Sequence, residues 1–305
     1  MTKIKANRHT IEISNPDKEI FPGEGITKSG LVDFYRKISK HILPHLADRP
    51  LTMHRYPNGI NGKSFYQKDE PDYFPGWIDT AKVELREKGE QDFVVCNNEA
   101  TLLYLANQAS ITPHIWLSKT EKPEYPDRLI FDLDPPEGDF GIVQDGARDL
   151  KKFFDELEMK SFVMTTGSKG MHVVIPLDGK SKFDESRDFA KAVAEKLAKK
   201  NPEKYTIETR KNKRRGRLFI DYLRNAYGQT AVAPYAMRAR KGAPVATPLE
   251  WSEATSSKTG PQTFHHGNIF RRLSQKKDPW HDIGNYSYNI GESTKKLNEH
   301  NSTNL

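Results

Sequence analysis

The stretch that most constrains this chain is Arg128-Leu129-Ile130-Phe131-Asp132-Leu133-Asp134-Pro135-Pro136. An apolar run of this length reads as a strand, and side chains along a strand alternate faces. Asp132 and Asp134 therefore project together, while Leu129, Phe131 and Leu133 pack the other way. Two neighbouring carboxylates repel unless a cation or a hydrogen-bond donor lies between them. Hard oxygen donors of this kind suit Mg²⁺ or Mn²⁺. Pro135-Pro136 ends the strand just after the pair, which predicts a sheet rim open to a substrate. A turn capped by aspartates is the alternative, since Asp-Pro is a common turn signal. A second run, Leu218 to Leu223, sets Asp221 among apolar neighbours, where a carboxylate without a partner is costly. A salt bridge to a nearby arginine would satisfy it. So would membership of a three-carboxylate set with Asp132 and Asp134, an arrangement that serves nucleases, phosphatases and nucleotidyltransferases through paired metal ions.

The other polar signals are consistent with a phosphate-bearing substrate. In Thr165-Thr166-Gly167-Ser168-Lys169-Gly170-Met171-His172 a glycine-flanked turn offers backbone N–H groups, the Thr166 and Ser168 hydroxyls and the Lys169 amine. It lacks the Walker spacing, and an ordinary hairpin turn is its plain reading. His172 would emerge beside that turn. The basic run Arg210 to Arg217, with Arg214 inside it, leads into the Asp221 strand. Such a run is usually a solvated loop, but its position next to the acidic set favours a nucleic-acid contact. Arg238 and Arg240 could neutralise further phosphate charge. Aromatic and basic residues alternate in Arg55-Tyr56 and Phe65-Tyr66-Gln67-Lys68, offering stacking platforms for bases. Lys and Arg number 48 against 41 Asp and Glu, a net charge of +7 that favours a polyanionic partner. Cys96 is the only cysteine, so no internal disulfide can form, and its apolar neighbours predict a buried small side chain. His265-His266 has no partners at ligand spacing and reads as surface. No apolar stretch has signal-peptide or membrane-span length, which predicts a soluble, cytoplasmic protein.

Periodicity predicts a strand at Thr10–Ile13 and an amphipathic helix from Thr27 carrying Leu31, Phe34, Tyr35, Ile38 and Ile42. Strands and loops alternate over 49–79, and further helices are expected at 97–109, 141–158 and about 184–198. Strands at 162–166 and 171–175 are joined by a link short enough to require a hairpin, hence antiparallel pairing. The fold class is therefore α+β, or mixed α/β, with antiparallel or mixed sheets flanked by helices. One catalytic domain over 1–285 is expected, followed by a disordered tail over 286–305 that is rich in Asn, Ser and Lys.

In this order, these motifs resemble the polymerase domain of the bacterial DNA ligase D family, within the archaeo-eukaryotic primase superfamily. The likeness covers residues 10–251. It rests on Asp132–Pro135, the turn Gly167–His172, the Asp221 strand and Val232-Ala233-Pro234-Tyr235 leading to Arg238. The resemblance implies that Asp132, Asp134 and Asp221 are catalytic and hold two Mn²⁺ or Mg²⁺ ions. It implies triphosphate contacts from Lys169, Gly170, His172 and Arg238, and an incoming-nucleotide contact from His114. Lys18 and Lys28 match a pair gripping a downstream 5′-phosphate, Phe65 and Tyr66 match aromatics stacking on the template, and Arg214 matches a basic residue of a mobile loop. Residues 80–92 correspond to a loop that brings two ends together. Thr166 stands where serine is common, Arg224 where a glutamine often contacts nucleotide, and His54 where a lysine is often found near the template.

The function so implied is template-directed nucleotide addition, filling short gaps and extending 3′ ends at double-strand breaks during non-homologous end joining, with ribonucleotides preferred. The implied partners are gapped, broken or 5′-phosphorylated DNA, nucleoside triphosphates of either sugar, Ku and a separate ligase, with no membrane and a place at the nucleoid. A primase that starts chains de novo, and a non-catalytic protein that bridges DNA ends, are the competing readings.

Overall fold

A computed structural model describes residues 2–86, 89–136 and 138–303, with side chains to 299. The chain forms two compact units, each assembled from several stretches of the sequence. The first comprises Met1–Trp116, Thr230–Thr247 and Phe264–Lys276, and the second Leu117–Gln229, Pro248–Thr263 and Lys277–Leu305.

In the first unit the predicted helix runs Lys28–Leu46. Thr27 caps it by accepting a hydrogen bond from the Gly30 N–H, and Leu31, Tyr35, Ile38 and Ile42 are buried. The helix Glu99–Asn107, capped by Asn98, packs against it. The unit's antiparallel sheet runs in the order Thr230–Val232, Ser110–Trp116, Leu51–Arg55, Phe65–Gln67. Ser110–Trp116 is an interior strand of this sheet although Pro113 lies within it, and a proline ordinarily argues against an interior strand. Its register slips by one residue: His54 faces Thr112 and Arg55 faces Ser110, so Ile111 forms a bulge. Of residues 80–92, Thr80–Leu85 and Gly89–Asp92 belong to the antiparallel strands Thr80–Leu85 and Gly89–Val94, and 87–88 lie outside the described residues. Cys96 is fully buried, as its neighbours predicted, and burial pushes its thiol pKa up.

The second unit is built on a six-stranded mixed sheet in the order Tyr205–Thr206, Leu218–Asp221, Arg128–Asp134, Met171–Pro176, Phe162–Thr165, Thr247–Leu249. Arg128–Asp134 pairs antiparallel on both sides, and Phe162–Thr165 and Met171–Pro176 form the expected hairpin. The helix Gly141–Glu156 turns Val143, Ala147, Leu150 and Phe154 inward, and Phe183–Lys200 does the same with Phe189, Ala190, Val193 and Leu197. The Asp221 strand stops at Asp221, two residues earlier than predicted, and passes into the 3₁₀ turn Leu223–Asn225. The reason is Asn225. Its side chain accepts from the Ile130 N–H at 2.8 Å and donates to the Ile130 carbonyl at 2.7 Å, taking the place a continuing strand would have held.

The tail expected to be disordered from residue 286 is instead seated on this unit. The Tyr288 N–H donates to the Pro176 carbonyl, its hydroxyl accepts from the Lys160 N–H, and a helix follows at Ile290–Thr303. That helix buries Ile290, Ser293 and Leu297, a stripe at helical spacing too narrow to stand out in a polar segment. No helix among the described residues is long and apolar enough to cross a membrane.

Gly170 sets how closely the hairpin approaches the Asp132–Asp134 strand: a Cβ there would lie 1.9 Å from the Leu133 carbonyl oxygen. At Gly146 the nearest obstacle to a Cβ is the movable Leu218 Cδ2, at 2.4 Å. Gly170→Ala is therefore expected to cost about 3 kcal/mol, the upper range for overpacking, and Gly146→Ala clearly less. Urea unfolding of the two variants checks this, and equal costs would show that the backbone at Gly170 gives way.

Candidate active site

Antiparallel pairing brings the three predicted carboxylates to one rim. Asp132 lies directly opposite Asp221 in the ladder and opposite His172 on its other side, and Asp134 follows two residues later on the same face. The His172 Nε2 atom is 3.5 Å from Asp132 Oδ1 and the Arg224 Nε donates to Asp132 Oδ2 at 3.2 Å. Burial opposes ionisation of Asp132, but His172 and Arg224 outweigh it and hold its pKa down at about 2. Asp221 moves the other way. Burial raises its pKa, and the charges of Asp132 and Asp134 add to the rise against the opposing effects of the Leu223 N–H and Arg224. Asp134 accepts from Arg214 Nη1 at 2.9 Å. That guanidinium also donates to the Glu208 and Thr209 carbonyls and lies over the Phe219 ring at 4.0 Å.

The predicted phosphate-binding turn adjoins this rim. Thr166 closes it through its N–H and hydroxyl, which both donate to the Gly170 carbonyl, so the hydroxyl is engaged in shaping the turn. The Ser168 carbonyl accepts from Gln262, and Lys169 is exposed. The buried His172 keeps its Nδ1 atom without a hydrogen-bond partner.

In the first unit, one sheet face collects His54, Tyr66, Thr112 and His114, since His54 faces both Thr112 and Tyr66 in register. His54 stacks on Tyr66 with ring centres 4.0 Å apart, and Tyr66 meets His114 edge-on at 5.6 Å. Tyr66 and Phe65 are 59% and 46% exposed, enough surface to receive another ring. Burial, then the charge of Arg238, pushes the His54 pKa down to about 4.

Lys18 and Lys28 form a second group. Lys28 is buried, and burial followed by the charges of Lys18 and Arg55 lowers its pKa. Lys18 donates to Asn58 Oδ1 at 2.8 Å and Lys28 to Ser14 Oγ at 3.0 Å. Neutral acceptors beside two neighbouring cations leave charge for an anion to neutralise. The sequence reading did not identify Ser14 and Asn58, and short polar residues in a turn gave no signal for them. Arg55, expected to touch nucleic acid, is buried and donates to the Gln108 carbonyl and side chain, to Gln67 and to Tyr73. It ties strands and loop together. Lys68 is exposed beyond the end of its strand.

Among the described residues no three His, Cys, Asp or Glu side chains converge closely enough to hold a metal ion as they stand. The donor chemistry nevertheless fits one. Asp132, Asp134 and Asp221 are hard oxygen donors on one rim, burial and then the charges of Asp132 and Asp134 raise the pKa of Asp221, and arginine cations pair with the other two.

A model of the LigD primase-polymerase domain matches residues 27–280. The bifunctional non-homologous end joining protein LigD of Bacillus subtilis is 32% identical over 275 residues, which span 90% of this chain and 44% of that protein. The multifunctional LigD of Mycolicibacterium smegmatis is 30% identical over 80% of this chain and 32% of its own length. The polymerase domain of Mycobacterium tuberculosis Ligase D, solved in complex with DNA, matches with a TM-score of 0.84 and 28% identity. The match covers 91% of this chain and 99% of that one. The chain belongs to the LigD primase-polymerase domain family. The mixed α/β fold read from the sequence is that of this family. The chain spans less than half the length of these two relatives. Nucleotidyl transfer, the family's class of reaction, generally needs a divalent metal.

The low pKa of His54 gives a pH signature. Its folded value, about 4, lies below the ordinary 6.5, so on acidification the unfolded chain takes the proton first. Its contribution to stability is whole above about pH 6.5 and is lost as the pH falls towards 4. The His54 ring signals are expected to titrate near pH 4 by NMR, and His54→Gln should flatten the fall in stability between pH 6.5 and 4. Titration at 6.5 would remove the basis for treating this face as neutral at His54.

Proposed function

We propose that this chain is a primase-type, template-directed nucleotidyltransferase that fills short gaps and extends 3′ ends at DNA double-strand breaks in non-homologous end joining. The observation that carries the reading is Asp132 set opposite Asp221 with Asp134 on the same face, within a chain of the LigD primase-polymerase family. The three carboxylates would hold two divalent ions, Mn²⁺ or Mg²⁺. When bound, such a pair supplies activation of an attacking hydroxyl and charge stabilisation of a leaving phosphate.

The chain's own groups do the rest. Lys169 and the Ser168 hydroxyl stand on a turn whose shape Thr166 and Gly170 fix, and they would face the triphosphate. His172 offers its Nδ1 atom there, while its Nε2 atom lies towards Asp132. Arg214 and Arg224 keep Asp134 and Asp132 paired until ligands arrive. His114 and Arg238 would contact the incoming nucleotide, and the exposed Phe65 and Tyr66 rings would stack on template bases. Lys18 and Lys28 would grip a 5′-phosphate across the gap, with Lys68 adding backbone charge. Ribonucleotides are the preferred substrates in this reading, and Ku and a separate ligase are the partners.

The test is extension of a labelled primer across a short 5′-phosphorylated gap with Mn²⁺ and either nucleotide set. Asp132→Ala and Asp134→Ala proteins are expected to lose addition to background while still binding the gap, and retained extension would sink the proposal. For the lysine pair, removing the 5′-phosphate should weaken binding about tenfold or more, the scale of one charged hydrogen bond. Lys18→Ala/Lys28→Ala protein should no longer distinguish the two duplexes. Equal affinity of the unaltered protein for both duplexes would refute the assignment.

A further inference from the structure

Both backbone groups of Met237 are held by side chains from elsewhere in the first unit. Its N–H donates to the Tyr35 hydroxyl at 3.2 Å, and its carbonyl accepts from the Thr112 hydroxyl at 2.8 Å. The Tyr35 hydroxyl in turn donates at 2.5 Å to the carbonyl of Ile111, the bulged residue. A bulge leaves its extra residue out of the ladder, so one phenol satisfies that carbonyl and the Met237 N–H together. Tyr35, Thr112, Ile111 and Met237 are all buried, where lost hydrogen bonds are not replaced by water.

Arg238 follows Met237 directly, and its N–H donates to the Pro244 carbonyl at 2.7 Å. Tyr235, just before, has a left-handed backbone with φ of +66°. That conformation is uncommon for an aromatic residue and persists only where its surroundings determine it. Thr112 also lies on the same sheet face as His114, two residues along one strand. A single strand thus carries the histidine assigned to the incoming nucleotide and the hydroxyl that fixes the backbone beside Arg238.

We propose that Tyr35 and Thr112 are positioning residues, a buried hydroxyl clamp that sets Arg238 relative to His114 for nucleotide binding. The inference rests on the assignment of Arg238 and His114 to the nucleotide. Neither hydroxyl touches substrate; both act through the backbone of Met237.

Two measurements separate the clamp from that assignment. Hydrogen exchange of the Met237 amide and residues 236–246 is expected to speed up at least about tenfold in Tyr35→Phe and Thr112→Val proteins, the effect of removing one buried hydrogen bond. Thr112→Ser, which keeps the hydroxyl, should exchange as the unaltered protein does. Unchanged exchange in both variants overturns the clamp. In gap filling, each of the two variants should raise the nucleotide KM about five- to tenfold through misplacement of Arg238, with kcat and affinity for gapped DNA within twofold of the unaltered protein. Combined with Arg238→Ala, Thr112→Val should add nothing further to KM. A full additional increase in the double variant overturns the positioning role. Faster exchange with an unchanged KM in Arg238→Ala itself overturns the nucleotide assignment, and the positioning proposal with it.

Discussion

Pairing on both edges of Arg128–Asp134 forces Asp132 to lie between Asp221 and His172, and the chemistry of the rim follows from that crowding. Ladder geometry leaves no freedom to separate the two aspartates. The repulsion must be met locally, and the rim meets it unevenly. Asp132 receives His172 and Arg224 and stays ionised, Asp134 receives Arg214, and Asp221 has a raised pKa. Gly170 lets the hairpin that carries His172 come this close, because its Cα packs on the Leu133 carbonyl between the two aspartates. Asn225 does the corresponding work on the other side, pinning the turn that carries Arg224 to Ile130. Two divalent cations in place of the two arginines would bring twice the positive charge to the rim, an excess that the phosphates of a bound nucleotide would balance.

The first unit handles charge in the opposite sense. Its functional candidates have neutral company: Lys18 beside Asn58, Lys28 beside Ser14, and a His54 whose pKa burial and then Arg238 hold down at about 4. Burial, and then the neighbouring charges of Lys18 and Arg55, disfavour the Lys28 cation and lower its pKa. An arriving phosphate removes that penalty, so the arrangement favours binding over stability. Arg55 shows that a basic residue in the same region need not share the role. Its guanidinium is spent on Gln67, Tyr73 and Gln108, which explains why it is buried while Tyr66 and Phe65 nearby are exposed.

Much of this was legible in the sequence where one local rule decided the outcome. Alternation along Arg128–Asp134 gave the paired aspartates, a short link gave the hairpin of Phe162–Thr165 with Met171–Pro176, and spacing after Thr27 gave the long helix. The features that escaped depend on partners distant in the chain. Ser110–Trp116 was hidden because Pro113 punctuates it, and only the pairing with Leu51–Arg55 reveals it as a strand. The helix Ile290–Thr303 was hidden because its buried stripe is thin, and its docking begins with Tyr288 on Pro176. The Asp221 strand was read two residues too long because nothing in Tyr222–Asn225 announces that an asparagine side chain will replace the ladder. Among the site residues, the acidic set was visible from residue type, whereas Ser14 and Asn58 acquire meaning only from the lysines they meet.

Several irregular backbone positions of the first unit fall together. The Ile111 bulge, the proline in an interior strand and the left-handed Tyr235 all border the face that carries His54, Thr112 and His114 or the segment that carries Arg238. In the second unit the closest backbone approach at a glycine falls between the metal-ligand candidates. Each departs from what local propensity alone would choose, and each is held by buried hydrogen bonds or tight packing from several elements. Sequences generally keep local preference and global fold in agreement, and the exceptions concentrate where a side chain must be aimed. A bulge re-aims the residues that follow it. At Ile111 the slip of one residue puts Thr112 opposite His54 and keeps His114 on the same face; an unbroken register would pair Ile111 with His54 instead. The face proposed to receive nucleotide therefore depends on that irregularity, and Tyr35, which holds the bulged carbonyl, belongs to the architecture of the site although it lies beneath it.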